Sequence, residues 1–178
     1  MKRLIYLLFS ALILILGPFS KAQKKMEVQK SILKVGMSAP NFTLEDAHGN
    51  HYTLSSFRGR MPVIVYFYPK AGTAGCTKEA CGIRDDWGKF KKNKIQVLGI
   101  SVDTKKEILK FIKDNSLNFP LLSDATTKVS KEYGVYNNQG YDNRITFIIN
   151  KKGKINNIIN VKNIEEHAEE VFKIASKL

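Results

Sequence analysis

The chain has 178 residues, 43% of them hydrophobic, and 29 Lys and Arg against 16 Asp and Glu give it a formal charge of +13. That length suits one core and one domain, and the apolar fraction excludes wholesale disorder. The lysine pairs Lys24-Lys25, Lys91-Lys92, Lys105-Lys106 and Lys151-Lys152 lack interleaved aromatic residues. They form no nucleic-acid motif, so the charge reads as a solvated surface with no nucleic-acid partner.

Residues 1–22 read as a secretory signal peptide. Lys2-Arg3 precede an apolar run from Leu4 to Leu16, Gly17-Pro18 break it, and Ser20-Lys21-Ala22 fits a small-x-small cleavage site before Gln23. The run is short for a membrane span of about 20 residues, so cleavage is expected rather than retention as an anchor. No cysteine near Gln23 offers a lipid attachment point. The protein is therefore expected to be exported, periplasmic or extracellular, with no stable membrane insertion after cleavage. Loss of Lys2, Arg3 and Lys21 leaves 26 basic against 16 acidic residues, still +10. Residues 23–34 read as a flexible Lys-rich lead, and residues 35–178 as the folded domain.

Phe42–Leu44 and His51–Leu54 alternate apolar and polar residues around a turn-forming Asp46–Asn50, which predicts a β-hairpin. Ser55–Arg60 connects to Val63–Tyr68, a continuous β-branched and aromatic run expected to be a strand buried on both faces. Pro69 stops it, a small-residue loop follows, and a helix is expected from about Cys76 to Lys91. Ile95–Val102 predicts a second buried strand. Asp103-Thr104 can cap the next helix, where Ile108, Phe111 and Ile112 recur at helical spacing. A short strand at Phe119–Leu122 and a short helix at Val129–Tyr133 precede a polar loop over Asn137–Asn143. Arg144–Ile149 and Ile155–Asn160 predict an antiparallel hairpin. An amphipathic helix carrying Ile164, His167, Val171, Ile174 and Leu178 closes the chain. This order predicts an α/β, thioredoxin-like fold with a central mixed β-sheet flanked by helices and an N-terminal β-hairpin extension.

Both cysteines fall where the first buried strand hands over to a helix, the end of a sheet where chemistry collects in open α/β folds. Cys76 is placed at the helix start, where free N–H groups and the dipole stabilise a thiolate. Cys81 follows five residues later, about 7.5 Å along an ideal helix and rotated by about 140°. A disulfide needs Cα atoms about 4.4–6.8 Å apart, so the pair cannot join while the helix is intact. A pair that closes only on unwinding fits a redox cycle in which Cys76 becomes a sulfenic acid and Cys81 resolves it.

The run Pro69-Lys-Ala-Gly-Thr73-Ala-Gly-Cys76 resembles the P-x-x-x-T-x-x-C signature of peroxiredoxins. With Cys-Thr-Lys-Glu-Ala-Cys81 it is similar to the Q-type, or bacterioferritin comigratory, group. Phe67–Lys70, Arg84-Asp85, Leu98–Asp103, Phe119–Asp124, Tyr133–Val135 and Arg144–Phe147 extend the likeness from about Val35 to the C-terminus. The resemblance implies a thiol-dependent peroxidase acting on hydrogen peroxide and organic hydroperoxides without a cofactor. It makes Cys76 the peroxidatic and Cys81 the resolving cysteine. Thr73 is then expected to hydrogen-bond the thiolate and the peroxide, Arg144 to stabilise the thiolate and polarise the O–O bond, and Pro69 to shield the sulfur. A thioredoxin-like donor is implied as reductant, and resolution within one chain favours a monomer over a dimer. Ala74, Ile83 and Asn150 depart from the usual Pro, Phe and Asp of the group.

Two other classes share the fold. An extracytoplasmic thiol-disulfide oxidoreductase needs Cys-x-x-Cys, and here four residues intervene. A copper-delivery protein needs Cys-x-x-x-Cys and a distal histidine. His48 and His51 lie in or beside a turn, and His167 reads as a surface or capping residue, so no metal site is expected.

Overall fold

A computed structural model describes residues 33–178. The expected signal peptide and nearly all of the lead lie outside the described residues. Leu33, within the stretch read as the lead, is already buried in the core. Among the described residues no helix is long and apolar enough to cross a membrane.

Seven strands form one mixed sheet: β1 Thr43–Asp46, β2 His51–Thr53, β3 Val63–Phe67, β4 Gln96–Ser101, β5 Leu121–Ser123, β6 Ile145–Ile149 and β7 Ile155–Asn160, in the order β2-β1-β5-β4-β3-β6-β7. Among the described residues the helices are α1 Ala74–Lys92, α2 Lys105–Asn115, α3 Lys128–Glu132 and α4 His167–Ala175, with one 3-10 turn at Leu54–Phe57. β3, β4 and β5 run parallel, and β1 and β6 join them antiparallel. The N-terminal hairpin is thus part of the sheet, paired to β5 through β1. Its turn closes because Asp46 Oδ1 accepts from the backbone N–H groups of His48 and Asn50 at 2.8 and 2.9 Å. Asn150 turns the second hairpin in the same way, accepting from Lys152 and Lys154 N–H at 3.0 and 3.1 Å.

β3 is buried along its whole length, and its pleat divides the core in two. Ile64, Tyr66 and Tyr68 face one layer with Ala80, Ile83 and Phe90 of α1, Ile108 and Phe111 of α2, and Val171 of α4. Val63, Val65 and Phe67 face the other, with Val129 of α3, Tyr133, Phe147 and Leu54. Gly99 of β4 lies opposite Tyr66 and leaves room for its ring; a Cβ there would come 2.7 Å from the Tyr66 ring and 2.5 Å from Leu121. Thr104 caps α2 in a reciprocal box with Glu107, as its position beside Asp103 suggested.

Candidate active site

α1 begins two residues earlier than the sequence pattern suggested, with Thr73 as N-cap and Cys76 in the first turn. The first turn of a helix has backbone N–H groups without intrahelical partners, so a negative sulfur is favoured there. The approach to it is a tight loop. Pro69 ends β3 half-buried, Ala71 N–H donates to Asp103 Oδ2 at 2.7 Å, and Gly72 takes φ +79°, a conformation glycine adopts without strain. Asp103 is buried and also accepts from Ser101 Oγ at 2.9 Å, which ties the loop to the end of β4.

The register of β3 with β6 brings the arginine in. Phe67 pairs with Ile145, so Arg144, the residue before β6, stands at the same edge of the sheet as the end of β3. Val161 N–H donates to its carbonyl at 3.2 Å, fixing the backbone. Its guanidinium then reaches Cys76: Nη2 donates to Sγ at 3.2 Å, and Nη1 donates to Glu79 Oε2. Cys76 and Glu79 are each only 2% exposed, so the cation is shared between two acceptors shielded from solvent. Burial opposes the charge on Arg144, but Glu79 and Cys76 outweigh it and hold the guanidinium above its ordinary value. Gly75 permits the approach, since a Cβ there would lie 3.3 Å from Arg144 Nη2.

The structure also arranges residues that sequence reasoning missed. Glu79 lies one turn beyond Cys76, and a three-residue helical spacing was the available signal for a shared face. His167, expected at the surface or as a cap, is wholly buried at the start of α4. Its Nε2 lies 2.9 Å from Thr146 Oγ1 and its Nδ1 lies 3.1 Å from Glu79 Oε1. The physical cause is that α4 docks its first turn against α1 and β6: Glu166 takes the exposed N-cap position, and His167, the first helical residue, faces inward. Tyr66 and Tyr68 also bring buried hydroxyls without hydrogen-bond partners. Burial, then Tyr68, Glu79 and Cys76, push the Tyr66 phenol well above its ordinary value.

Thr73 is placed differently from expectation. Its hydroxyl donates to the Lys70 carbonyl at 3.1 Å, the local back-bond an exposed Thr readily forms in a turn, and not to Cys76. Cys81 is half-buried on the same unbroken helix, and both cysteines are free thiols. His48 and His51 are exposed beside the first hairpin, with His51 3.8 Å from Glu45. Among the described residues no group of three or more His, Cys, Asp or Glu could hold a metal ion.

A buried thiol in the first turn of a helix, faced by an arginine from the neighbouring antiparallel strand of a thioredoxin-like sheet, defines the class of thioredoxin-fold thiol peroxidases. Residues 35–158 match the AhpC/TSA family, and the chain belongs to that family, within its peroxiredoxin Q and Bcp group. It is 44% identical over 146 residues to peroxiredoxin Q, chloroplastic, of Oryza sativa subsp. japonica, covering 80% of this chain and 67% of that protein. It is 40% identical over 147 residues to peroxiredoxin Bcp of Escherichia coli (strain K12), covering 79% and 94%. Among solved structures, peroxidoxin BcpB of Mycobacterium tuberculosis superposes with a TM-score of 0.75 at 32% identity, covering 82% of this chain and 98% of that one. A cysteine-to-serine mutant of PrxQ from Xylella fastidiosa gives a TM-score of 0.75 at 26% identity, covering 81% and 96%. The chain is a peroxiredoxin, and its reaction is thiol-dependent reduction of peroxide.

Proposed function

We propose that the protein reduces hydrogen peroxide and organic hydroperoxides through a Cys76 sulfenic acid and an intramolecular Cys76–Cys81 disulfide. The observation that carries the reading is the Arg144 Nη2 donor 3.2 Å from Cys76 Sγ in the first turn of α1. The Cys76 thiolate attacks one peroxide oxygen. The S–O bond forms as the O–O bond breaks, and the departing alkoxide or hydroxide takes a proton and leaves as alcohol or water. Arg144 and the first-turn N–H groups stabilise the thiolate and the negative charge that moves onto the oxygens. Rotation of the Thr73 hydroxyl away from the Lys70 carbonyl adds a donor on the peroxide side, and Pro69 shields the sulfur from bulk water.

Cys81 then attacks the sulfenic sulfur. The S–S bond forms, the S–O bond breaks, and water leaves with the Cys81 proton. An intact α1 holds the two sulfurs apart, so the helix between them unwinds in this step. A thioredoxin-like dithiol donor returns the disulfide to two thiols and is itself oxidised. Resolution within one chain needs no second subunit, which supports a monomer. The residue 1–22 pattern supports export, with a mature chain starting at Gln23 and a donor outside the cytoplasm.

Peroxide consumption coupled to a dithiol reductant tests the assignment. Cys76→Ser is expected to abolish turnover, and equal activity of Cys76→Ser and the native protein would overturn it. Mass spectrometry after one equivalent of peroxide should find Cys76 bonded to Cys81. A persistent sulfenic acid or an intermolecular dimer refutes that pairing.

A further inference from the structure

His167 lies on no path from peroxide to sulfur, yet both ring nitrogens meet the machinery that holds Cys76. Five groups form a continuous line, buried except for the half-buried Arg144: Thr146 Oγ1, His167, Glu79, the Arg144 guanidinium and Cys76 Sγ. Within it, Glu79 Oε1 and His167 Nδ1 have no aligned hydrogen-bond partner, although they lie 3.1 Å apart. Two orphaned buried polar atoms facing one another are costly unless they share a proton. A carboxylate oxygen only accepts, so the proton belongs on Nδ1, and in the neutral ring Nε2 then accepts from the Thr146 hydroxyl. A small rotation of ring or carboxylate aligns the bond.

We propose, resting on the peroxidase reading, that His167 is a positioning residue. Its Nδ1–H fixes Glu79, Glu79 fixes the Arg144 guanidinium, and Arg144 holds the Cys76 thiolate. Without that donor, Glu79 keeps a bare buried oxygen and is free to swing, taking Arg144 Nη1 with it and spoiling the aim of Nη2 at sulfur. The titratable and charged groups facing His167 are Glu79 and, beyond it, Cys76 from α1, Arg144 beside β6, and Tyr66 of β3, whose ring centre is 6.1 Å away. On its own helix and the turn before it, Glu165 and Glu169 are drawn outward by Lys78 and Lys89, and Glu166 and Glu170 are exposed. Glu79 also lies between the two cysteines, so its hold on His167 must release when the helix unwinds for Cys81.

The test uses the full chain carrying Cys81→Ser, which leaves Cys76 as the sole thiol. Two readouts are taken: the pH profile of Cys76 alkylation by iodoacetamide, and the rate constant for its oxidation by hydrogen peroxide. His167→Asn keeps a donor at the Nδ1 position and loses Thr146; His167→Gln keeps the Nε2 position and loses Glu79. His167→Asn is expected to stay near native. His167→Gln is expected to shift the alkylation profile to higher pH and to slow oxidation about tenfold, a modest cost for a misaimed catalytic group. The two are similar in polarity and size, so a shared packing defect moves them together. Equal impairment of both, or native behaviour of both, overturns the proposal. Alkylation needs no peroxide, so a ranking that holds in a protein inert to peroxide sinks the peroxidase reading and leaves the His167 assignment standing.

Discussion

At the scale of single residues the site depends on close approach to Arg144. A Cβ on Gly75 would sit 3.3 Å from Arg144 Nη2 and 3.3 Å from Ile164 Cδ1. Those distances are tight enough that the guanidinium must yield by a few tenths of an ångström. Alanine is also the better helix former, by up to about 1 kcal/mol. Gly75→Ala is therefore expected to lower the rate of Cys76 oxidation severalfold while leaving the melting temperature unchanged or raised. A stopped-flow oxidation rate equal to that of the native protein would show that the close contact is not limiting. Asp142, two residues before Arg144, carries a different liability. It is buried, Ser130 Oγ donates to its Oδ2 at 3.0 Å, and Oδ1 has no partner. Burial, with Asp124 and Asp103 adding repulsion, pushes its carboxyl up to about 7.

The element that matters most is α1, which the proposed Cys76–Cys81 disulfide requires to be folded for one half of the cycle and opened for the other. α4 and the turn before it clamp it through Lys78 with Glu165, Lys89 with Glu169, the Phe90–Phe172 ring contact and the Glu79–His167 approach. Gly82, next to Cys81, is a weak position, since glycine costs a helix interior about 1 kcal/mol relative to alanine. A Cβ there would meet Ala168 Cβ at 3.7 Å, an ordinary contact, so alanine fits against α4. Gly82→Ala is expected to raise thermal stability and to slow closure of the Cys76–Cys81 disulfide severalfold, with sulfenic acid forming at its native rate. Rapid-quench mass spectrometry separates the two steps. Disulfide closure at the native rate would mean that opening does not pass through Gly82.

At the scale of the whole molecule, Asp142 gives the stability a pH dependence of known sign. Its folded value lies above the ordinary 3.8, so the folded chain keeps a proton that the unfolded chain releases. The stability from that proton is full below the ordinary value and lost as pH rises through about 7. Relative to Asp142→Asn, the urea midpoint of the native protein should therefore fall between about pH 4 and about pH 7 and level off above that. A constant difference between the two proteins would refute the shift. Much of the architecture could be read along the chain. The all-apolar Val63–Tyr68 segment announced a strand buried on both faces, the runs flanking Asp46–Asn50 and the pair Arg144–Ile149 and Ile155–Asn160 announced their hairpins, and Asp103-Thr104 announced a helix start. Local chemistry sets these features, because pleat, turn and cap each involve residues a few positions apart. The same holds for the placement of Cys76 after a strand and at a helix start, and for the spacing that keeps Cys81 away from it while the helix stands. Arg144 was found through the resemblance of its motif; only the β3–β6 register explains how it reaches a sulfur 68 positions away. Glu79 and His167 were the losses. His167 stood in the apolar stripe of its helix, which was a signal that it faces inward, but a polar residue on such a stripe is equally at home as a cap. Which reading holds depends on where α4 docks, and docking is settled by packing between elements that the chain order leaves far apart. The sequence by itself determined a helix-start cysteine on a thioredoxin-like sheet. The tertiary structure decided which charges surround the sulfur, because a buried ion pair forms only where the fold brings its partners together and keeps water away.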